Sequence, residues 1–277
     1  MAHERLDQHP RWRAMTCTGA SGWDSAGRVN SPVAAVHVVL PAFNEAANLP
    51  SLLAQLDSAL ATLGRPHRVL LVDDGSDDDS AAVATAHAGG LRLEILRHAR
   101  NQGLGSALRD GLMRVLDDAG DGDAVVVMDA DDSHPPALIG ALLARLERDA
   151  DVVIASRFRR GARLVGIPPL RRLLARGAAL LLAVIAPVPG VRDATGGFRA
   201  YRVAALRRAA AARGGTLISV DGFACMVDLL LALHASGARC AEVPIILRYD
   251  QKRGASKLPV WPTVRDTLRI AWQRPPT

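Results

Sequence analysis

Aromatic side chains are scarce, at 4% of 277 residues, so the core must pack on Ala, Leu and Val. The 49% hydrophobic content supplies enough of these for one large α/β domain. Cysteine is nearly absent: Cys17, Cys225 and Cys240 form neither a CxxC pair nor a metal-ligand pattern. That points away from a disulfide framework and toward a reducing compartment, with Cys225 and Cys240 as core fillers. The eight histidines show no ligand spacing, and His134, the one nearest the acids discussed below, is expected to be structural. No glycine-rich dinucleotide fingerprint and no P-loop is present, so the usual phosphate cradles are missing and a nucleotide bound here would need a metal. No signal peptide opens the chain, which predicts a cytoplasmic protein. The longest uninterrupted apolar run, residues 178–188, contains Pro187 and falls short of the roughly 20 residues of a membrane-crossing helix.

What is there is alternation. After residues 1–33, which read as a mobile extension, apolar runs of strand length at 36–40, 69–72, 91–96, 125–128 and 152–155 alternate with helical stretches. The helices are predicted at about 47–63, 81–88, 103–118 and 137–148, with a further one at 224–234. Such alternation predicts a parallel, doubly wound sheet, whose ligands bind beyond the carboxyl ends of the strands.

Those strand ends carry acids. Val125–Met128 hands over to Asp129-Ala130-Asp131-Asp132, and Val69–Val72 to Asp73-Asp74, while Pro41, Asn44 and Glu45 follow the first strand. An Asp-X-Asp pair at a strand end can hold a hard divalent cation that also takes diphosphate oxygens. The same acids have a plainer use, because Asp129 or Asp132 could cap the helix entered at Pro135. Asp73 and Asp74 suit a base or ribose better than a phosphate, which they would repel. As a plainer alternative they form a solvated acidic turn.

Basic residues dominate elsewhere, with 34 Lys and Arg against 28 Asp and Glu for a net charge of +6. This favours anionic partners such as nucleotides or phospholipid headgroups. Nucleic acid is disfavoured, since few aromatics are available to stack bases and the strand-end acids repel phosphates. Arg157, Arg171, Arg172 and Arg176 lie in a run of arginines after the fifth strand, and the last three lead into the apolar run. A helix over 170–187 could therefore rest on an anionic bilayer, or be buried against the sheet. Residues 248–257, with Lys252, Arg253 and Lys257, read as a basic lid or as a simple connector. Trp261, Val264, Leu268 and Trp272 mark an amphipathic C-terminal helix within 258–277.

Taken together, several motifs resemble family 2 glycosyltransferases of the GT-A fold, and within them polyprenyl (dolichyl) phosphate mannose synthases. They are Leu40–Glu45, Val72–Ser76, Gly103-Leu104-Gly105, Met128–His134, Ala155–Arg157, Asp193–Arg202, Glu242–Ile245 and Gly254–Lys257, in family order. The resemblance implies a Rossmann-like, mostly parallel sheet flanked by helices across residues 34–257. It also implies that Pro41, Glu45 and Asp73 line the base and ribose pocket, with Gly103 among the donor-binding residues. Asp129 and Asp131 would bind Mg2+ or Mn2+ with the donor diphosphate. Arg157, Arg199 and a basic residue near Lys257 would face the anionic groups of donor and acceptor. The implied reaction is inverting transfer of a hexose to a polyprenyl phosphate, with GDP-mannose as the first choice of donor and a UDP-sugar as the second. A soluble transferase with a hydroxyl acceptor, or a non-catalytic nucleotide-sugar binder, is the competing reading. Relatives' Phe-Gln pair is Cys225-Met226 here, while the following acid, Asp228, remains as either a satisfied acid or a general base.

Overall fold

The computed structural model describes residues 31–167, 169–250, 265, 266, 269 and 270. Most of the expected N-terminal extension and the C-terminal tryptophan helix lie outside the described residues, as do Lys252, Arg253 and Lys257. The end of that extension is anchored: the Val33 main-chain N–H donates to Glu147 at 2.8 Å, and Val33 is buried.

Nine strands are present among the described residues: β1 Val36–Ala42, β2 His67–Asp73, β3 Leu93–Arg97, β4 Ala124–Val127, β5 Val152–Ser156, β6 Arg163–Val165, β7 Arg199–Arg202, β8 Cys240–Pro244 and β9 Ile246–Arg248. The helices are α1 Leu49–Ala61, α2 Ser80–Ala86, α3 Leu104–Asp118, α4 Ile139–Asp149, α5 Pro169–Ile185, α6 Val203–Ala212 and α7 Cys225–Ala235. Seven strands form one sheet in the order β3-β2-β1-β4-β7-β5-β8, and β6 pairs with β9 in a small second sheet. Neighbours are parallel except at β7, which runs antiparallel between β4 and β5. The expected mostly parallel sheet is thus present, but β5 is not its last strand. Arg-Ala-Tyr-Arg is too short and too charged to read as a strand, yet all four residues are buried.

Strand periodicity explains the two layers. Val36, Val38, Leu40, Val69, Leu71 and Val126 face one side, where α1 presents Leu49, Leu52, Leu53, Leu56 and Leu60 and α4 presents Ile139, Leu142, Leu143 and Leu146. Val39, Leu70, Val72, Val125 and Val127 face the other, against α3 and the helix pair α6 and α7. At Gly111 a Cβ would come within 2.8 Å of Val39 and Val72, so α3 seats on the sheet only because that side chain is missing. Cys225 and Cys240 are unpaired, and burial pushes their thiols up to about 12 and about 11. Both are protonated fillers, as expected.

At the amino-terminal edge of the sheet, His37 is buried and links three elements. Its Nδ1 accepts from Arg68 Nε at 2.8 Å, and its Nε2 lies 3.0 Å from Asp123 Oδ2, with Asp118 on the far side of Arg68 at 3.1 Å. Burial, the largest influence, holds the imidazole below its usual value of 6.5, outweighing the upward pull of Asp123. A neutral folded-state histidine leaves stability intact above 6.5 and withdraws it as pH falls below that value, where only the unfolded chain takes up the proton. Thermal melts between pH 7.5 and 5 should therefore show a shallower loss of Tm for His37→Gln than for the wild type.

Candidate active site

The turn after β4 is a tightly held loop at the carboxyl edge of the sheet. Ser133 donates both its N–H (3.1 Å) and its hydroxyl (2.5 Å) to Asp131 Oδ1. Asp132 sits at φ 60°, in the left-handed region that Asp tolerates, and takes the Gln55 amide of α1 at 2.9 Å. The Asp129 main-chain N–H donates to His134 Nδ1 at 3.1 Å. Asp131 and Asp132 are buried, whereas the Asp129 side chain is 43% exposed. Pro136–Leu138 form a single 3-10 turn before α4, and neither that turn nor α4 has a side-chain cap. The helix-capping alternative for Asp129 and Asp132 therefore falls away.

Around this loop the other expected residues have definite employments. Pro41 lies within β1, opposite Val72. Asn44, at φ 53°, accepts the Asp77 N–H at 2.8 Å and so folds the acidic loop after β2. Glu45 is buried, accepts Asn48 Nδ2 at 2.6 Å, and starts α1 through its carbonyl. Asp73 has no exposed surface: Oδ1 accepts the Ser76 N–H at 2.9 Å, and Oδ2 faces Arg97 Nε at 3.2 Å. Asp74 accepts the N–H groups of Gln102 and Gly103 at 2.9 and 2.8 Å and contacts His98 Nδ1 at 2.7 Å. Its carboxylate holds the β3–α3 loop in place. Gly103 has φ 93°, and a Cβ there would stand 2.5 Å from the Asp221 carbonyl; at Gly105 it would meet the Val220 carbonyl at 1.9 Å. The two glycines thus let the loop before α7 lie directly on the start of α3.

Arg157, just past β5, is the basic residue brought to the acids. Its Nε and Nη2 grip Asp193 at 2.8 and 2.5 Å, its main-chain N–H adds a third bond at 2.9 Å, and Nη2 also reaches Thr195 Oγ1 at 2.6 Å. Burial works against both charges, but the pairing wins, raising the Arg157 pKa and lowering that of Asp193. The Asp129 charge acts on Arg157 in the same sense. Asp193 is in turn seated by Glu242, which accepts the N–H groups of Arg192 and Asp193 at 2.7 Å each and pairs with Arg159 at 3.1 Å. Asp193, Thr195 and Glu242 stand in motifs that carry the resemblance but have no role assigned from the sequence, and Gln55 lies outside those motifs. The signal for Asp193 was the glycine pair that follows it: a Cβ on Gly196 would touch the Asp193 carboxylate at 3.4 Å, and one on Gly197 the Asp129 carboxylate at 3.1 Å.

Arg199, expected to face donor or acceptor anions, does not. It is fully buried, and Nε, Nη1 and Nη2 donate to the carbonyls of Gly196, Met226 and Ala194 at 2.7, 2.8 and 2.7 Å. Asp228 is buried and satisfied, accepting from Arg213 Nη2 (3.1 Å), the Ser219 N–H (2.7 Å) and the Ser219 hydroxyl (2.9 Å). Of its two expected roles, the geometry supports the satisfied acid. Arg171, Arg172 and Arg176 lie on α5; Arg172 donates to the Leu164 carbonyl at 2.8 Å, and Arg176 is exposed.

Among the described residues no cluster of three or more His, Cys, Asp or Glu side chains forms a metal cage. The donor set nonetheless fits a hard cation held at two points: Asp129 and Asp131 offer carboxylate oxygens two residues apart, and Asp129 is open to solvent. Mg2+ and Mn2+ ordinarily complete their shells with diphosphate oxygens and water.

A sequence model described as glycosyl transferase family 2 matches residues 37–209. The dolichol-phosphate mannosyltransferase of Pyrococcus furiosus is 29% identical over 224 residues, covering 80% of this chain, which spans only 59% of that relative's length. The polyprenol monophosphomannose synthase of Mycolicibacterium smegmatis is 32% identical over 226 residues, covering 80% of both proteins. Glucosyl-3-phosphoglycerate synthase from Mycobacterium tuberculosis, solved with Mn2+, uridine diphosphate and phosphoglyceric acid, shares the fold. Its TM-score is 0.64 at 21% identity, covering 88% of this chain and 80% of that one. With the family match running from β1 into α6, the chain belongs to glycosyl transferase family 2.

Proposed function

We propose that this chain transfers a hexose, mannose from GDP-mannose, to a polyprenyl phosphate with inversion at the anomeric carbon. The observation that carries the reading is the half-exposed Asp129 carboxylate at the carboxyl edge of the sheet, whose charge acts on Arg157, while Asp228 is satisfied by Arg213 and Ser219. A lipid phosphate is already an anion at neutral pH and needs a guanidinium rather than a general base. A hydroxyl nucleophile would need a carboxylate to take its proton, and the acid expected for that duty is occupied by Arg213 and Ser219. The names of the Pyrococcus and Mycolicibacterium relatives agree with a lipid phosphate acceptor.

In this reading Asp129 and Asp131 hold Mg2+ or Mn2+ against the donor diphosphate, and Arg157 presents its remaining N–H groups to acceptor or donor oxygens. A bound divalent cation supplies Lewis-acid stabilisation of the departing nucleoside diphosphate. Asp193 keeps Arg157 in one orientation, which limits the entropy lost when an anion docks.

A lipid acceptor also calls for a membrane-facing surface, and α5 provides one. Leu173, Leu180, Leu181 and Val184 are 66, 70, 44 and 71% exposed, with Arg172 and Arg176 toward the amino-terminal half. No helix among the described residues is long and apolar enough to cross a bilayer, so we place α5 in the headgroup layer of an anionic membrane, on its cytoplasmic face.

Three outcomes are expected. Purified protein given GDP-mannose, polyprenyl phosphate and Mg2+ or Mn2+ should form a lipid-linked mannose, and Asp131→Asn should slow turnover on the order of a hundredfold or more. Product with UDP-sugars alone would correct the donor, and transfer to an alcohol without any lipid product would sink the acceptor assignment. Asp228→Asn should keep kcat within about threefold while lowering Tm; a folded variant that has lost activity would restore the general-base role. Leu180→Asp with Val184→Asp should weaken cosedimentation with anionic vesicles by about tenfold and leave the Tm in solution unchanged.

A further inference from the structure

The ring of His134 is held in a way that a filler would not require. It is buried, stacked on Phe198 with centroids 5.2 Å apart and planes 22° apart, and Phe198 is itself fully buried and tied to the end of β5 through the Ala155 N–H, 2.9 Å from its carbonyl. Nδ1 accepts the Asp129 main-chain N–H at 3.1 Å. A main-chain N–H can only donate, so Nδ1 is unprotonated and the ring proton is on Nε2. That nitrogen faces Asp129 Oδ2 at 3.8 Å.

One imidazole therefore addresses both ends of Asp129, and it does so from five residues along the chain. The contact closes the loop from Asp129 to His134, in which Asp132 holds a left-handed φ of 60° and Ser133 grips Asp131. Left to themselves, three acids within four residues would spread apart. On the other side of Asp129, Gly197 leaves the space its carboxylate fills.

Resting on the metal reading above, we propose that His134 is a positioning residue. By accepting the Asp129 N–H at Nδ1, it presets Asp129 relative to Asp131 for a divalent cation shared with the donor diphosphate, without itself being a ligand. Groups that orient metal-binding carboxylates typically change metal affinity by about ten- to a hundredfold when removed.

The role separates into an acceptor and a stack, which can be removed independently. His134→Asn keeps an acceptor two bonds beyond Cβ, while His134→Phe keeps the ring and removes the acceptor. Mn2+ binding by the full-length protein, titrated by electron paramagnetic resonance with GDP and in parallel with UDP, reads the site without turnover. We expect His134→Phe to weaken Mn2+ binding by about tenfold or more and His134→Asn to stay within about threefold of the wild type. Should His134→Phe fail to fold, His134→Gln, whose acceptor lies one bond too far, is expected to show the same loss. Wild-type affinity in His134→Phe or His134→Gln, or a loss in His134→Asn as large as in His134→Phe, would overturn the positioning role. Failure of the wild type to hold Mn2+ with either diphosphate would instead overturn the metal reading, and this proposal with it.

Discussion

A guanidinium with no exposed surface organises this site. Burying an arginine without a carboxylate in direct contact is costly unless its N–H groups find acceptors, and Arg199 finds three main-chain carbonyls, on Ala194, Gly196 and Met226. Those bonds fix the 193–198 segment against the start of α7. The same segment carries Asp193 to Arg157, leaves the gap at Gly197 for Asp129, and delivers Phe198 to His134. An antiparallel β7 is the means of bringing it there: the strand enters the sheet between β4 and β5, so its first residues arrive at the edge where the parallel strands end.

The acids at that edge differ in what remains open to a ligand. Asp73, Asp74 and Asp132 are buried and bonded to main-chain or side-chain donors of neighbouring loops, and Asp131 is gripped by Ser133. Asp129 alone among them is substantially solvent-facing. Close-set negative charge is tolerable because most of it is neutralised locally by N–H donors, Arg97 and Arg157. Acids that brace one another's loops thereby present one or two carboxylates in a fixed place.

Much of this was readable in the sequence. Runs such as Val36–Leu40 and Val69–Val72 alternate faces between two layers of helix, and the leucine spacing of α1 matches its buried stripe, so the sheet and its ligand edge followed from periodicity. Residue roles were harder to read, for one physical reason. An arginine or aspartate in a string of letters looks like a solvent or ligand group, and only long-range partners reveal it as a strut. Arg199 meets carbonyls up to 27 residues away, Asp74 meets N–H groups 28 and 29 residues on, and Asp193 meets Arg157 across 36. The β7 strand was hidden by the same fact, since its two arginines are inside the protein.

The missing side chains at Gly103 and Gly105 have a consequence for modularity. The loop before α7 rests its Val220 and Asp221 carbonyls where those side chains would be, and the Gly105 N–H completes the fit with a 2.7 Å bond to Asp221. The two segments are complementary halves of one mould, about 115 residues apart in the chain. A loop grafted here from a relative would have to arrive together with its own partner turn at the head of α3, so these regions are exchangeable as a pair and not singly.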